Sequence, residues 1–242
     1  MGVPQRYWEE AFSPPKRKRL PEMVASQIKD LILQNEIKEN EKLPPERTLA
    51  DLFKVSRVVV RQALAHLEQS GFVKIRPGPK GGAFVSLRLH KPLADLMSDL
   101  FREGSLTLHH FSEVRKAIES CVIREVVLKA EKADIKRLEE IHERMAEHLD
   151  DPARLREFNT SFHVALADIS GNPLAKSIIW SIFELLETLW DTHHPGKNQD
   201  PDFIRQTHAR HGRIIEALKA RDLPLCEELI SRDAEVTREL RS

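Results

Sequence analysis

The sequence predicts a mainly α protein in two parts, a small N-terminal domain of three helices and a β-hairpin followed by an antiparallel α-helical bundle. Three observations predict it. Apolar residues recur at helical spacing over most of the chain from position 21 onward. A glycine- and proline-rich stretch, Pro77-Gly78-Pro79-Lys80-Gly81-Gly82, separates two short apolar runs and fits a hairpin tip. The charge is also unevenly placed. Lys16 to Arg88 carries 15 basic and 8 acidic side chains against 23 and 30 in the remainder, although the net charge is zero.

With 242 residues the chain is long enough to bury two cores. Apolar content of 40% and charged content of 31% suit a globular protein rather than a disordered one. No apolar run approaches the roughly 18 residues of a membrane span, and the start, with Arg6, Trp8, Glu9 and Glu10, lacks the apolar core of a signal peptide. Cys121 and Cys226 form no metal-type pair and are expected as small core residues in a reducing cytoplasm. The basic front suggests a polyanionic partner for that part alone.

Residues 1–20 lack periodicity and end in Lys16-Arg17-Lys18-Arg19, a mobile basic arm that could follow phosphates, enter a minor groove or simply be solvated. From Pro21, Val24, Ile28, Leu31 and Ile32 fall on one helix face, with the helix ending near Glu36. Pro45 and Glu46 suit the first turn of a second helix running to about Phe53, with Leu49, Ala50, Leu52 and Phe53 as its apolar side. Ser56 is an N-cap for a third helix from Arg57 to Ser70. Val60, Ala63, Leu64 and Leu67 form that helix's buried stripe, and Arg57 and Arg61, four apart, share an exposed face. Gly71 ends it, and strands are expected at Val73–Arg76 and Ala83–Ser86.

Two helices joined by a tight turn, the second opening on arginines, then a basic hairpin: this is the layout of a winged helix-turn-helix spanning 21–88. Such a recognition helix offers its N-terminal side chains to base edges, and arginine bonds guanine O6 and N7 bidentately. Leu43-Pro44-Pro45-Glu46-Arg47-Thr48-Leu49-Ala50, Val55-Ser56-Arg57, Arg61-Gln62-Ala63-Leu64, Gly71-Phe72-Val73 and Gly81-Gly82-Ala83-Phe84-Val85 closely resemble the GntR family of bacterial regulators. The resemblance implies that Arg47, Ser56, Arg57 and Arg61 contact double-stranded DNA, with Gly78 in the wing. Pro45 departs from it: the family usually has a serine there that caps the second helix.

Residues 92–242 read as helix throughout, with segments near Leu93–Arg102, Leu108–Ala130, Asp134–Leu149, Pro152–Ile169, Pro173–Asp191, Asp202–Ala220 and Leu223–Leu240. Val114, Ile118, Cys121, Val122 and Val126 form a candidate buried stripe. Most histidines fall on polar faces or in loops. His163, four residues after Asn159 and beside Phe162, and His211, before Ile214 and Ile215, lie next to core positions instead. Phe158–Asn172 and His211–Leu218 resemble the FadR-type (FCD) C-terminal domain, many members of which hold a divalent metal through an aspartate and three histidines beside a carboxylate effector.

The positions corresponding to those ligands are Asn159, His163, His211 and Asp233, two matching and two departing. Either the carboxylate has moved between helices, leaving a set suited to Zn, Ni or Mn, or these groups bind the effector or one another without metal. Arg115 matches a cavity-facing arginine of that subfamily, suited to a carboxylate; the alternative is a pair with Glu119 at i, i+4.

The resemblance implies a homodimeric, cytoplasmic and nucleoid-associated regulator rather than an enzyme or membrane protein. It would bind a pseudo-palindromic operator and repress a catabolic operon in response to a small organic or sugar acid. The rival readings are a metal-dependent hydrolase with a nucleic-acid-binding appendage, using His163, His211 and Asp233, and an effector-free DNA-binding protein.

Overall fold

The computed structural model describes residues 20–193 and 201–235. The arm expected over 1–20 lies outside the described residues except for Leu20, as do residues 194–200 and the end expected for the last helix. The chain forms two compact units divided between Leu89 and His90.

The first unit holds α1 (Leu20–Leu33), α2 (Glu46–Phe53), α3 (Arg57–Gln69), β1 (Val73–Arg76) and β2 (Gly82–Val85). Helix α1 stops three residues before the expected Glu36. Its chain turns back through Asn35 in the left-handed region (φ 60), with Glu36 N donating to Leu31 O. Helix α2 begins at Glu46, so Pro45 stands at the N-cap position and supplies no side-chain bond. Leu52, expected on the apolar side of α2, is 68% exposed; Leu49 and Ala50 face the core, with Phe53 partly buried against it.

Lys54, left-handed at φ 52, makes the turn into α3, where the Ser56 hydroxyl accepts from Val59 N at 3.3 Å. The buried stripe of α3 is Val60, Ala63, Leu64 and Leu67, as the spacing predicts. It packs with Val24, Ile28 and Ile32 of α1 and Val73 and Val85 of the hairpin into one apolar core. The strands pair antiparallel, with Val73 opposite Val85 and Arg76 opposite Gly82. Residues 40–43 lie along the free edge of β2: Leu43 N donates to Ala83 O at 2.8 Å and Val85 N to Glu41 O at 2.8 Å. The apolar-and-polar pattern there is too short to announce a strand.

The second unit is all-helical among its described residues: α4 (Lys91–Glu103), α5 (Leu108–Lys129), α6 (Lys132–Ala146), α7 (Pro152–Ser170), α8 (Pro173–His193), α9 (Pro201–Lys219) and α10 (Leu223–Glu235). Thr107 and Asp151 cap α5 and α7, and Asn172 Oδ1 accepts from Leu174 N and Ala175 N at the start of α8. The core gathers Ile123 and Val126 of α5, Leu138 of α6, Phe162 and Leu166 of α7, Ile179 of α8, Ile214 of α9, and Leu229 and Ile230 of α10.

The stripe expected on α5 is buried at Val122 and Val126 and partly at Ile118, but not at its other two positions. Val114 is 47% exposed and Cys121 is exposed, whereas Arg115 and Glu119 are buried with Val122, Ile123, Val126 and Val127. Cys226 is the one cysteine found in the core.

Candidate functional site

Two sets of polar side chains are organised by these elements, one on each unit. On the first, the α2–α3 turn and the Ser56 cap place Arg57 and Arg61 in the first two turns of α3, both with side chains 63% exposed. The Glu46 carboxylate at the start of α2 stands between them, its Oε2 accepting from Arg61 Nη2 at 3.2 Å and lying 3.8 Å from Arg57 Nη2. An acidic group at that distance limits the arcs the guanidiniums sweep, at a contribution of under about 1 kcal/mol for an exposed pair. Arg47 is exposed on α2, and Gly78 is exposed in the wing at φ +98. Ser56 is occupied in capping. Arg76 and Lys42 lie over the Phe84 ring at 4.3 and 5.5 Å, so the base of the wing is also basic.

On the second unit, α5, α7, α9 and α10 bring six charged or titratable side chains into a dry cluster. Arg115 on α5 donates through Nη2 to Asp233 Oδ2 at 2.5 Å and through Nε to Glu119 Oε2 at 3.1 Å. His163 on α7 lies with Nδ1 2.7 Å from Glu119 Oε1 and Nε2 3.1 Å from Asp233 Oδ2. Arg210 on α9 donates from Nε to Asp233 Oδ1 at 2.8 Å. His211, beside it, is buried with its ring stacked on Phe162 at 4.0 Å and its Nε2 4.0 Å from Asp233 Oδ1. Phe183 on α8 closes the cluster, stacked on His163 at 4.7 Å and beneath the Arg115 guanidinium at 4.6 Å.

The electrostatics follow from burial opposed by close partners. For Asp233, burial favours the neutral acid, but Arg115 and His163 outweigh it and hold the carboxyl well below its ordinary range. Burial would discharge His163, yet Glu119 and the Asp233 hydrogen bond overcome both burial and Arg115 and raise its pKa. His211 has no such support: burial, with repulsion from His163 and Arg210, outweighs Asp233 and holds its pKa well below the ordinary imidazole range.

Of the four expected metal ligands, three converge. His163, His211 and Asp233 each offer a ligand atom, all within 4.8 Å of one another. Donors of a tetrahedral site stand roughly 3.4 Å apart when their bonds are near 2.1 Å, so an ion needs these atoms to close up and the Arg115 guanidinium, 3.2 Å from His163 Nε2 and 2.5 Å from Asp233 Oδ2, to turn aside. Asn159 Oδ1 is buried without a hydrogen-bond partner, and so are both ring nitrogens of His211. Orphaned buried donors and acceptors are costly in native proteins and point to a missing partner. The Glu119 contact on the far nitrogen of His163 is the outer-shell arrangement that orients a metal-binding imidazole. The donor chemistry therefore fits a divalent cation. The void beside the cluster, lined by Glu119, Val122, Ile123, His163, Leu166, Ile179 and Ile230, is too narrow for a water molecule.

Arg115 makes the i, i+4 pair with Glu119 that its spacing offers and also bonds Asp233 within the cluster. His208, one turn before His211, stacks on His142 at 3.9 Å, and that pair is partly buried rather than displayed on a polar face. Sequence reasoning missed Glu119 as an orienting group, and Arg210 and Phe183 altogether. The only signals for them were the i, i+4 spacing from Arg115 and the adjacency of Arg210 to His211.

Comparison with known proteins follows the same division of the chain. The family described as "Bacterial regulatory proteins, gntR family" matches residues 20–85, and the FCD domain matches residues 110–235. The chain is 31% identical over 216 residues to the HTH-type transcriptional repressor NanR of Citrobacter rodentium (strain ICC168), covering 86% of this chain and 80% of that protein. It is 30% identical over 219 residues to that of Cronobacter sakazakii (strain ATCC BAA-894), with the same coverage. The solved structure of Streptococcus agalactiae GntR matches with a TM-score of 0.65 at 21% identity, over 90% of this chain and 99% of that one, a likeness of fold.

Proposed function

This chain belongs to the gntR family of bacterial regulatory proteins and carries an FCD domain, and from that premise we propose how its two polar sites divide the work of a ligand-responsive DNA-binding regulator. The protein acts in the cytoplasm as a homodimeric repressor of a catabolic operon, with one α3 of each protomer entering a major groove of a pseudo-palindromic operator. Arg47, Arg57 and Arg61 make the contacts, Ser56 fixes the start of α3, and the wing at Gly78 approaches the DNA backbone.

The buried cluster takes the effector, a small organic or sugar acid. Asn159, His163, His211 and Asp233 would hold a divalent ion such as Zn, Ni or Mn, which when bound supplies a fixed positive charge for the effector carboxylate. The chain's own residues prepare that charge balance. Arg115 and Arg210 already compensate Asp233, and Glu119 is engaged by Arg115 and His163. Any further cation leaves the cavity positive, and in a dry site that excess draws in an anion. The observation that carries the reading is this meeting of the Arg115 guanidinium with two candidate metal donors, His163 Nε2 at 3.2 Å and Asp233 Oδ2 at 2.5 Å.

Because the void admits no water, an acid can enter only if helices around it part. Closed and opened packings then differ in effector affinity, and typical couplings of about 1–3 kcal/mol change operator affinity five- to 150-fold. The test is selection of a duplex from random oligonucleotides, followed by titration of the complex with a panel of organic and sugar acids. At least one acid should shift affinity for the selected duplex, and Arg115→Ala should lose that shift while keeping the duplex. A response that survives Arg115→Ala removes this site from the mechanism.

The hydrolase reading draws nothing from the geometry, because the cluster's carboxylates, Glu119 and Asp233, are both engaged by cationic partners and neither is free to act as a general base.

A further inference from the structure

Among three consecutive valines at the start of α3, Val60 is fully buried and Val59 packs partly on the core, but Val58 is 60% exposed. A β-branched residue at an exposed helical position has nothing to gain there, since it lowers helix propensity and leaves its methyl groups in water. Its direction is specific. At about 100° per residue, the stripe formed by Val60, Ala63, Leu64 and Leu67 faces the core, and Val58 points within roughly 10° of the opposite direction. Val58 is thus the apolar centre of the outward face. Arg57 and Arg61 border it on one side, and Gln62, also exposed, lies one turn further on.

The flanking charge identifies the occupant. Two guanidiniums with 63% exposed side chains, in a front segment of net positive charge, face a polyanion, and the first turns of this helix are the part a helix-turn-helix presents to base edges. On the major-groove floor the apolar feature is the C5-methyl of thymine, and a glutamine is suited to adenine N6 and N7. Building on the DNA-binding reading above, we infer that Val58 reads a thymine methyl and Gln62 an adenine, so that each operator half-site carries A·T pairs beside the guanines read by Arg57 and Arg61. Neither Val58 nor Gln62 belongs to the set of contacts that the family resemblance supplied.

The test uses the full-length dimer and a duplex selected from random oligonucleotides, with each thymine replaced one at a time by deoxyuridine, which lacks only the methyl. At one thymine per half-site, wild-type affinity should fall about fourfold, the ratio equivalent to about 0.8 kcal/mol for one buried methyl. Val58→Ala should bind the parent duplex correspondingly more weakly and no longer distinguish the two bases at that position. Gln62→Ala should relax the preference for A·T at its own position. Wild type indifferent to every deoxyuridine, or Val58→Ala retaining the full difference, overturns the assignment while leaving DNA binding intact. Failure to select any duplex overturns the regulator reading itself. If Val58→Ala alters the oligomeric state in gel filtration instead, the exposed valine belongs to a protein interface and the base-reading role falls.

Discussion

Arg115 and Asp233, 118 residues apart in the chain, meet in a dry interior with their charged atoms 2.5 Å apart and side chains only 5% and 4% exposed. A buried pair of this kind adds little over an apolar filling, but removing one member strands the other. Asp233→Ala leaves the Arg115 and Arg210 guanidiniums without this carboxylate. It should lower the unfolding free energy of the helical unit by about 3–5 kcal/mol, read as a shift of the urea midpoint followed by far-UV dichroism. A shift below about 1 kcal/mol would mean that water reaches the cluster.

Metal and effector should bind cooperatively. The cluster's anions are already matched by cations, so an added divalent ion needs an accompanying anion, and the two ligands raise each other's affinity by the same factor. Elemental analysis of protein purified with and without an effective acid should show higher metal content with it. The pair His163→Ala, His211→Ala should lose both the metal and the acid dependence. Equal metal content in wild type and double variant would end the coordination proposal.

Parts of this site were legible in sequence and parts were not, for physical reasons. His163 and His211 stand out because each lies beside apolar residues at helical spacing, where an imidazole has no solvent. Arg115 and Glu119 do not stand out by hydropathy periodicity, which treats charge as surface; resemblance alone singles out Arg115, and spacing offers Glu119 only as its partner. The predicted stripe of α5 therefore holds at Val122, Val126 and, in part, Ile118, but fails at Val114 and Cys121, where the helix buries the charged pair instead. That burial is tolerable only through Asp233 and His163, partners from distant segments that no local pattern reveals. In the first unit the relevant signals are local: the Ser56 cap, the tight turn joining α2 to α3 and the stripe of α3 all appear as read. The edge pairing of residues 40–43 with β2 is non-local and was missed.

Ser56 and Arg57 are neighbours with separable roles. Ser56→Ala removes the bond to Val59 N and should cost about 1 kcal/mol of stability in the DNA-binding unit. Arg57→Ala touches no core residue and should leave stability within about 0.5 kcal/mol. It should weaken the selected duplex by about 1–3 kcal/mol and relax preference at one base position. Thermal unfolding and duplex titration of the two variants check both halves. Uniform weakening by Arg57→Ala on all sequences would make its contact one to phosphate.

Asp168, near the end of α7, binds Lys176 Nζ at 2.6 Å and Arg137 Nη1 at 3.2 Å. Partial burial works to raise its pKa, but Lys176 and then Arg137 outweigh it and the carboxyl is held below its ordinary value. A group depressed in the folded state contributes stability above its unfolded pKa, and that contribution is lost as pH falls through the folded one. Asp168→Asn should therefore be less stable than wild type at neutral pH, by under about 1 kcal/mol given its exposure. The gap should close as pH drops below about 4. Urea titrations of both proteins from pH 7 to pH 3 measure it, and a gap that widens on acidification contradicts the assignment.

Gly71 and Gly78 both take positive φ, +75 and +98, but only one is hemmed in. A Cβ at Gly71 would stand 2.3 Å from the carbonyl oxygen of Arg88, whose own N–H donates to Gly71 O at 2.9 Å. A Cβ at Gly78 meets nothing within 4 Å. Backbone strain of about 1–3 kcal/mol applies to alanine at either position, but at Gly71 the chain after the wing must also move away, which breaks its bond back to the end of α3. Gly71→Ala should therefore destabilise the DNA-binding unit by clearly more than Gly78→Ala, as thermal unfolding would register. Gly78→Ala should keep its fold and, under the proposed approach of the wing to the DNA backbone, lose duplex affinity, because the added methyl stands on the exposed tip. If the two variants unfold at the same temperature, the contact between Gly71 and Arg88 contributes nothing to the closure of this unit.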